Sequence, residues 1–553
     1  MPPDSSENKI DNSSPSKAGF AKLKADRNSL FWGFGLFAAI TVILTAVIIF
    51  LLADRELYYP YRLSATLSLV KQFYPEASDD RKMLGLARDA VISQLDRFSG
   101  YLDRGELDRA MEEFSGSYGG IGITVVGHKL GLQVMSVRED GPAAKAGIKT
   151  GDIIIKAGGV NMEGMNPYRA TNYLRGLEAS IVEVVVLRND LGDMLTFKLT
   201  REKLKLIHVS YAGITVKKSL YIRLLDFEAG AADEVSAALD SLYFNRKDSL
   251  RGIILDLRGN PGGLLYEAIS LSDLFIGKGH LIVGIKGRSC WSQSEFYSSP
   301  SKAGFTNNED ITHGLPLAII VDRGSASASE IFAGAMKYAG RGILIGDTTF
   351  GKGLVQELDR LYDGSGLRIT TARYYFEGNR FLNDPNSPIL DSAAGIAPDY
   401  FIEFPENEPF PLSLENSLLL RDFALSRKDD ASLDSEASAI PSKWFSDFEF
   451  FARQKGYKYK SSLTEEIIYT MDESVFEKDS ESILEAIKHL YHLSLSEDSA
   501  QFVEYRDYIL RRLFQYALEA KFGTGLSYRQ AILPYRQDIA LAEKIFQDRI
   551  ENK

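Results

Sequence analysis

The sequence predicts a multidomain α/β (α+β) protein with one transmembrane helix near its amino end. Three observations carry that prediction. From Ser219 to about residue 405, strands alternate with helices, the pattern of a largely parallel sheet buried on both faces. Ahead of this lie residues 120–204, with short strands separated by turn residues, a small β-rich unit. Further upstream, residues 30–53 (LFWGFGLFAAITVILTAVIIFLLA) carry no charge, long enough to cross a bilayer as a helix.

Bulk composition narrows the class. A chain of 553 residues exceeds a single core, so three or more domains are expected. Apolar content of 45% and charged content of 25% belong to a folded globular protein. A net charge of -11 argues against a nucleic-acid binder, which needs a basic surface. The one cysteine, Cys290, has no internal disulfide partner, and its GRSCWSQ context offers no base that would make it a nucleophile.

Lys17, Lys22, Lys24 and Arg27 precede the charge-free run, and Asp54, Arg55 and Glu56 follow it. The basic side stays in the cytoplasm. Residues 1–29 are therefore expected to be a cytoplasmic tail, and residues 30–53 a single-pass anchor in the cytoplasmic (inner) membrane. The remainder then lies on the periplasmic or extracytoplasmic side. A cleaved signal peptide is the rival, but the run exceeds the usual apolar length and no A-x-A site follows. No cysteine near its end offers a lipid attachment point.

Residues 54–115 read as helical, since apolar positions in AVISQLDRFSGYLDRGELDRAMEEF recur at three- and four-residue spacing. Glycines then cluster in SGSYGGIGI, and the period switches to strands over 116–205, with one helix around Tyr168–Arg175. Residues 206–405 form the α/β region: LYIRLLDF, GIILDLRG, LAIIVD and GILIGD read as strands, and EAISLSDLF and EIFAGAMKYA as helices. Residues 406–553 read as a helical domain, with amphipathic runs such as SILEAIKHLYHL and a polar stretch at Ser426–Ala439.

The chemistry concentrates in the α/β region. GSASASEIFAGAM, Gly324–Met336, joins a strand to a helix, a turn that exposes side chains at the edge of a parallel sheet. Free N–H groups at the helix start can hold an oxyanion. Ser327 and Glu330 also have capping-box spacing, which explains them without catalysis. Lys352, between Gly351 and Gly353, sits in the loop after the next strand, from where its amine can point at the serine turn. A neutral lysine can act as base for a serine. Only about one free lysine in 2500 is neutral at pH 7; burial that weakens its proton affinity about a thousandfold leaves roughly a third neutral. Phe350, Leu354 and Val355 fit such a pocket, and Gln356 can bond the amine without adding a charge. An ordinary solvated loop lysine remains the alternative. DLRGNPGGLL supplies Gly262 and Gly263 at another strand-to-helix turn, where amides can face an anion; no G-K-[ST] follows, so it is not a phosphate loop.

The ordered set SGSYGGIGI, GPAAKAGIKTGDIIIKAGG, ILDLRGNPGGLL, GSASASEIFAGAM, TTFGKGLVQ, TTARYY and GIAPD resembles the carboxyl-terminal processing peptidases (tail-specific proteases) over about residues 60–405. The resemblance implies a Ser-Lys protease core of crotonase/Clp-like sheet-and-helix character with an inserted PDZ domain. It makes Ser327 the nucleophile, Lys352 the general base and Gln356 its support. The oxyanion hole would use the N–H groups of Ala328, Gly262 and Gly263. Ser325 and Ser329 keep a structural reading. Residues 116–205 resemble a PDZ domain. Its carboxylate-binding loop would contain Gly119, Gly120, Ile121 and Gly122, and a substrate tail would add as a strand beside Ile121–Val126. Arg175 would help couple PDZ placement to the active site.

Two stretches depart from the family pattern. The usual L-D-P-H-S is Leu95-Asp96-Arg97-Phe98-Ser99, and R-G-x-x-G-T is Arg175-Gly176-Leu177-Glu178-Ala179-Ser180. Neither is expected to touch the Ser-Lys pair. Glu485, His489 and His492 share one helical face, but no H-E-x-x-H accompanies them, so no metal is expected, and no cofactor. The expectation is a membrane-anchored serine endopeptidase acting on unfolded or flexible proteins with apolar C-termini. The C-terminal helical region would serve an adaptor or homo-oligomer. Two alternatives stay open: a catalytically silent PDZ scaffold, and acyl-thioester chemistry on a related fold.

Overall fold

The computed structural model describes residues 38–46, 58–76, 79–138, 140–188, 192–243, 250–288, 293–299, 310, 312, 314–382, 395–433, 441–459, 500–523 and 533–551. The chain divides into two compact units, residues 1–94 and 95–553. In the first, residues 38–46 are helical, and α1 (Tyr58–Phe73) and α2 (Asp80–Ile92) follow. The Asp79 carboxylate caps α2 by accepting the Arg81 and Lys82 N–H groups. Among the described residues no helix is long and apolar enough to cross a membrane, so the predicted anchor is not seen as a spanning helix. Most of the charge-free run, 30–37 and 47–53, lies outside the described residues, as do Cys290, Glu485, His489 and His492.

The second unit opens with a departure from the expected continuous helix. The Asp96 side chain accepts the Phe98 and Ser99 N–H groups and the Ser99 hydroxyl, folding Leu95–Ser99 into a turn. Such local bonding competes with helical bonding and stops the pattern. The chain continues as β1 (Gly100–Leu102) and α3 (Arg104–Phe114).

The β-rich unit follows. Strand β2 (Ser117–Gly120) pairs antiparallel with β9 (Glu202–Lys205), joining the two ends of the insertion. Between them, β3 (Ile123–His128), β4 (Gly131–Val137), β5 (Ile153–Ala157), β7 (Ile181–Arg188) and β8 (Asp193–Thr200) form one antiparallel sheet in that order, with β6 (Val160–Asn161) beside β5. Helix α4 (Pro142–Ala146) starts with proline and ends at left-handed Gly147, as GPAAKAG dictates. Helix α5 (Pro167–Thr171) packs near β3, which is an edge strand of its sheet.

The α/β region is the predicted parallel sheet. Strands β10 (Val209–Ile214), β11 (Ser219–Leu224), β12 (Gly252–Asp256), β15 (Leu317–Val321), β16 (Ile343–Gly346) and β20 (Tyr400–Phe401) lie in that order, all parallel except β10 against β11. Helices α6 (Ala231–Leu242), α7 (Leu265–Phe275) and α8 (Ala328–Tyr338) cover one face, burying Val235, Leu271, Phe275 and Phe332 against Ile253, Leu255 and Ile319. Each such side chain taken from water stabilises by about 1.5–3 kcal/mol. A second, antiparallel sheet combines β1, β18 (Gly366–Phe376), β13 (Leu281–Gly287) and β14 (Gln293–Tyr297), with β17 (Leu354–Arg360) and β19 (Arg380–Phe381) also on β18.

Downstream, α9 (Pro409–Asn416), α10 (Leu419–Ser426), α11 (Lys443–Gln454) and α12 (Arg506–Phe522) share an aromatic core of Phe410, Phe423, Trp444, Phe448, Phe502 and Phe514. Helix α13 (Gln537–Glu551) behaves differently. Its Ile539, Ala542 and Phe546 pack on Tyr221, Ile254, Ala318, Ile320 and Ile345, the other face of the parallel sheet. A parallel sheet needs both faces covered, and α13 covers the second.

Candidate active site

Three loops converge at the carboxyl ends of β12, β15 and β16, where open parallel sheets expose functional groups. The serine loop follows β15. Ser327 has φ 55°, a left-handed conformation unusual for a residue with a Cβ, and it sits at the N-cap of α8. Such strain persists only where the surroundings enforce it. The flanking serines do the enforcing. The Ser325 hydroxyl donates to the Leu257 carbonyl at 2.8 Å, and the Ser329 hydroxyl to the Asn260 carbonyl at 2.9 Å. Both are buried and spent on the neighbouring loop, in keeping with their structural reading.

That neighbouring loop, after β12, brings the glycines. Asp256 at its start is fully buried. It accepts bonds from the Tyr221 hydroxyl (2.6 Å), Arg223 (2.6 Å), the Arg258 N–H (3.0 Å) and Arg536 (3.1 Å). Burial alone would raise its carboxyl pKa, but Arg223 and Arg258 hold it below the usual range. Gly262 (φ 95°) lies so close to the serine turn that a Cβ there would stand 2.8 Å from the Ser327 Cβ and 2.6 Å from the Ala326 carbonyl oxygen. Only glycine fits. One expectation is corrected here: the Gly262 N–H donates to Asn260 Oδ1 at 2.9 Å and is not free for an oxyanion. Among the described residues no hydrogen bond is seen from the Gly263 N–H or from the Ala328 N–H at the start of α8.

The lysine loop follows β16. Glu330, on α8 and fully buried, holds it to the serine. One carboxylate oxygen accepts the Thr349 hydroxyl and the Gly351 N–H, both at 2.6 Å. The other accepts the Ser327 N–H at 2.9 Å and the Lys352 N–H at 2.8 Å. Burial pushes the Glu330 carboxyl up from its ordinary range, while these four donors oppose that. The Tyr374 hydroxyl of β18, also buried, reaches the Ser327 carbonyl at 3.3 Å and the Lys352 carbonyl. The capping-box reading of Glu330 is thus correct but partial, because the same side chain carries the lysine loop.

Around the Lys352 amine the surroundings disfavour a charge. Burial is the largest influence lowering its pKa from the ordinary lysine value, and the Arg368 charge adds to it; Glu330 and Asp96 oppose. The amine lies over the Phe98 ring, 5.3 Å from its centroid. Leu95–Ser99 was not expected to reach the Ser-Lys pair, and it does. Gln356 also departs from expectation: its amide donates at 2.7 Å to the Phe98 carbonyl rather than to the lysine amine. Among the described residues no hydrogen bond joins the Ser327 hydroxyl to that amine. Contacts of this type often close only in a substrate complex.

The PDZ-like groove residues lie apart from these loops. Gly119 and Gly120 are in β2, Ile121 is a core residue, and Gly122 has φ 77°. The free edge of β3 beside α5 is open to an added strand. Arg175 stacks on the Tyr118 ring at 4.8 Å, and the Gly176 N–H donates to the Gly119 carbonyl at 3.0 Å, fastening this turn to β2.

The profile of peptidase family S41 matches residues 218–402, and a PDZ profile matches residues 119–203. A carboxy-terminal-processing protease of Bartonella bacilliformis is 32% identical over 387 residues, covering 69% of this chain and 84% of that protein. The chain belongs to this protease family. The carboxy-terminal processing protease CtpA of Bacillus subtilis is 31% identical over 351 residues, 63% of this chain and 70% of its own. Among solved structures, the photosystem II D1 C-terminal processing protease aligns at 26% identity, covering 61% of this chain and 86% of its own, with a TM-score of 0.37. The S41 member described here is therefore a serine-type peptidase with a PDZ domain.

Tyr374, in TTARYY, and Phe98, in the L-D-x-x-S stretch, had no expected role, yet both reach the serine and lysine loops. That stretch's departure from the family pattern was the available signal.

Proposed function

We propose that this peptidase is a membrane-anchored endopeptidase that captures the free C-terminus of a flexible extracytoplasmic protein in its PDZ groove and cleaves with Ser327 and Lys352. The observation that carries the reading is the shared Glu330 frame, which holds the serine and lysine loops together beside a glycine turn. Neutral Lys352 takes the Ser327 proton as Oγ attacks the substrate carbonyl carbon. The Gly263 and Ala328 N–H groups receive the developing oxyanion. Lys352 then protonates the leaving amine, and a water activated by the same lysine hydrolyses the acyl-enzyme. A tail added beside β3 would place its carboxylate at the Gly120–Gly122 amides. The charge-free run 30–53, basic on its amino side, supports the anchor and its orientation.

The test uses the full chain in detergent and an unstructured reporter with an apolar C-terminal tail, followed by mass spectrometry. Wild type should shorten the reporter, and Ser327→Ala and Lys352→Ala should not. Equal cutting by all three would remove the pair from the chemistry. No cutting by any would favour a silent PDZ scaffold. Carbonate extraction and protease accessibility of membrane vesicles test the anchor and its sidedness.

A further inference from the structure

The family resemblance places proline and histidine where this chain has Arg97 and Phe98. The structure puts those two residues against the lysine loop. The Phe98 ring packs edge-on against Phe350, with centroids 6.4 Å apart at 68°. The Arg97 guanidinium covers both rings from outside, 4.7 Å from Phe98 and 5.4 Å from Phe350, and the Lys352 amine lies 5.3 Å from the Phe98 centroid. The backbone of the same residue is equally engaged. Its carbonyl accepts the Gln356 amide at 2.7 Å and the Arg368 Nε–H at 2.9 Å. The turn is pinned on both sides, because Ser99 Oγ accepts the Thr370 N–H and Asp96 accepts the Thr370 hydroxyl, each at 3.1 Å.

We propose that Phe98 is a positioning residue of the general base: its ring keeps water from the Lys352 amine, and its carbonyl holds Arg368, whose charge acts on that amine. The inference rests on Lys352 being the base. Two influences of the ring compete. An aromatic face attracts a cation, which would favour the charged amine, but that attraction fades toward about 6 Å from the centroid. Excluding water disfavours the charge, and since burial is the first cause of the lowered Lys352 pKa, the ring's net effect is expected to favour the neutral amine. The charged groups facing the amine are Arg368 from β18, which disfavours its protonation, and Glu330 from α8 and Asp96 from the turn, which favour it. By holding Arg368, the Phe98 carbonyl keeps a disfavouring cation in position.

The test is kcat/KM against pH for the full chain, wild type beside Phe98→Ala and Phe98→Leu, on a quenched peptide with an apolar C-terminus. Phe98→Ala should move the acidic limb toward higher pH. The rate at pH 7 should fall about tenfold, recovering near pH 10, with KM little changed. Phe98→Leu keeps apolar cover without a π face and should stay close to wild type. If Phe98→Ala does not fold, as judged by melting and by binding of a C-terminal peptide, Phe98→Thr replaces it, with the same expected shift. A limb that stays put or moves to lower pH overturns the proposal, as does a Phe98→Leu limb displaced as far as that of Phe98→Ala. Lys352→Ala is run alongside. If that variant still cleaves, the base assignment itself has failed; if it is dead while the Phe98→Ala limb is unmoved, only the role of Phe98 falls.

Discussion

The main-chain N–H groups of Ser327 and Lys352, in loops that follow different strands, end on the same oxygen of Glu330. The carbonyls of the same two residues share the Tyr374 hydroxyl. The proposed nucleophile and base are thus framed through their backbones. Such a frame joins the two loops into one preorganised unit, which is where a large part of catalytic power originates.

Replacing Glu330 by alanine should be severe. Four donors, three of them backbone, would lose a buried acceptor, and a loss of about 3–5 kcal/mol is expected in urea unfolding. Glu330→Gln keeps the size but turns an NH2 group toward two of those donors. Its kcat should fall about 100-fold with KM little changed. A fall of less than about threefold would mean that the frame does not govern the chemistry.

Tyr374→Phe removes only the hydroxyl beneath Ser327 and Lys352. The expected cost is about 1–2 kcal/mol in unfolding free energy, with a parallel loss in kcat and none in PDZ peptide binding. Calorimetry together with steady-state kinetics separates these readouts.

The pH dependence follows from the lowered Lys352 pKa, which burial causes first and the Arg368 charge second. In the unfolded chain this lysine binds its proton more tightly than in the folded one. Between the folded and unfolded pKa values the unfolded state therefore holds more protons, and this group's contribution to stability rises with pH. At neutral pH the lysine is a liability. Lys352→Met should raise the melting temperature at pH 7, with the gain shrinking toward pH 10. A gain that grew with pH would reverse the assigned direction.

Ala179 occupies the position where the family pattern has glycine, and it has φ 63°. A residue with a Cβ is strained there, and Gly176, three residues before, fastens the same turn to Gly119. Ala179→Gly should stabilise the protein by about 0.5–1 kcal/mol, read as a higher urea midpoint with unchanged slope. A destabilised variant would show that the turn tolerates the alanine without strain.

The architecture was legible where periodicity speaks. Strand–helix alternation gave the parallel sheet of β11, β12, β15 and β16, and glycine-rich turns marked the loops at its end. The antiparallel sheet around β18 was not foreseen, because its strands come from β1, β13, β14 and β17, spread across the chain. The site divides the same way. Ser327, Lys352 and the glycine pair sit in recognisable turns, but their roles came from the family resemblance and not from local context, which left capping and a solvated lysine open. Gln356 and Phe98 meet across 258 residues, a contact that no local pattern encodes. The diversion of the Gly262 N–H to Asn260 was equally hidden, since it depends on which way one side chain turns within a buried loop.

The placement of α13 has a consequence for how the enzyme comes to be. Its Ile539, Ala542 and Phe546 close the sheet face formed by Ile254, Ala318, Ile320 and Ile345, and Arg536 just before it reaches Asp256 at the root of the glycine loop. All the strands and loops of the site are synthesised well before this cover. A nascent chain that has emerged only as far as α12 therefore has the candidate site residues on a sheet with one face lacking this cover. Competence to cut is therefore expected to follow the docking of α13. Ribosome-stalled chains ending before residue 537 should bind a hydrophobic dye and leave the reporter intact, whereas those that have exposed residue 551 should cleave it.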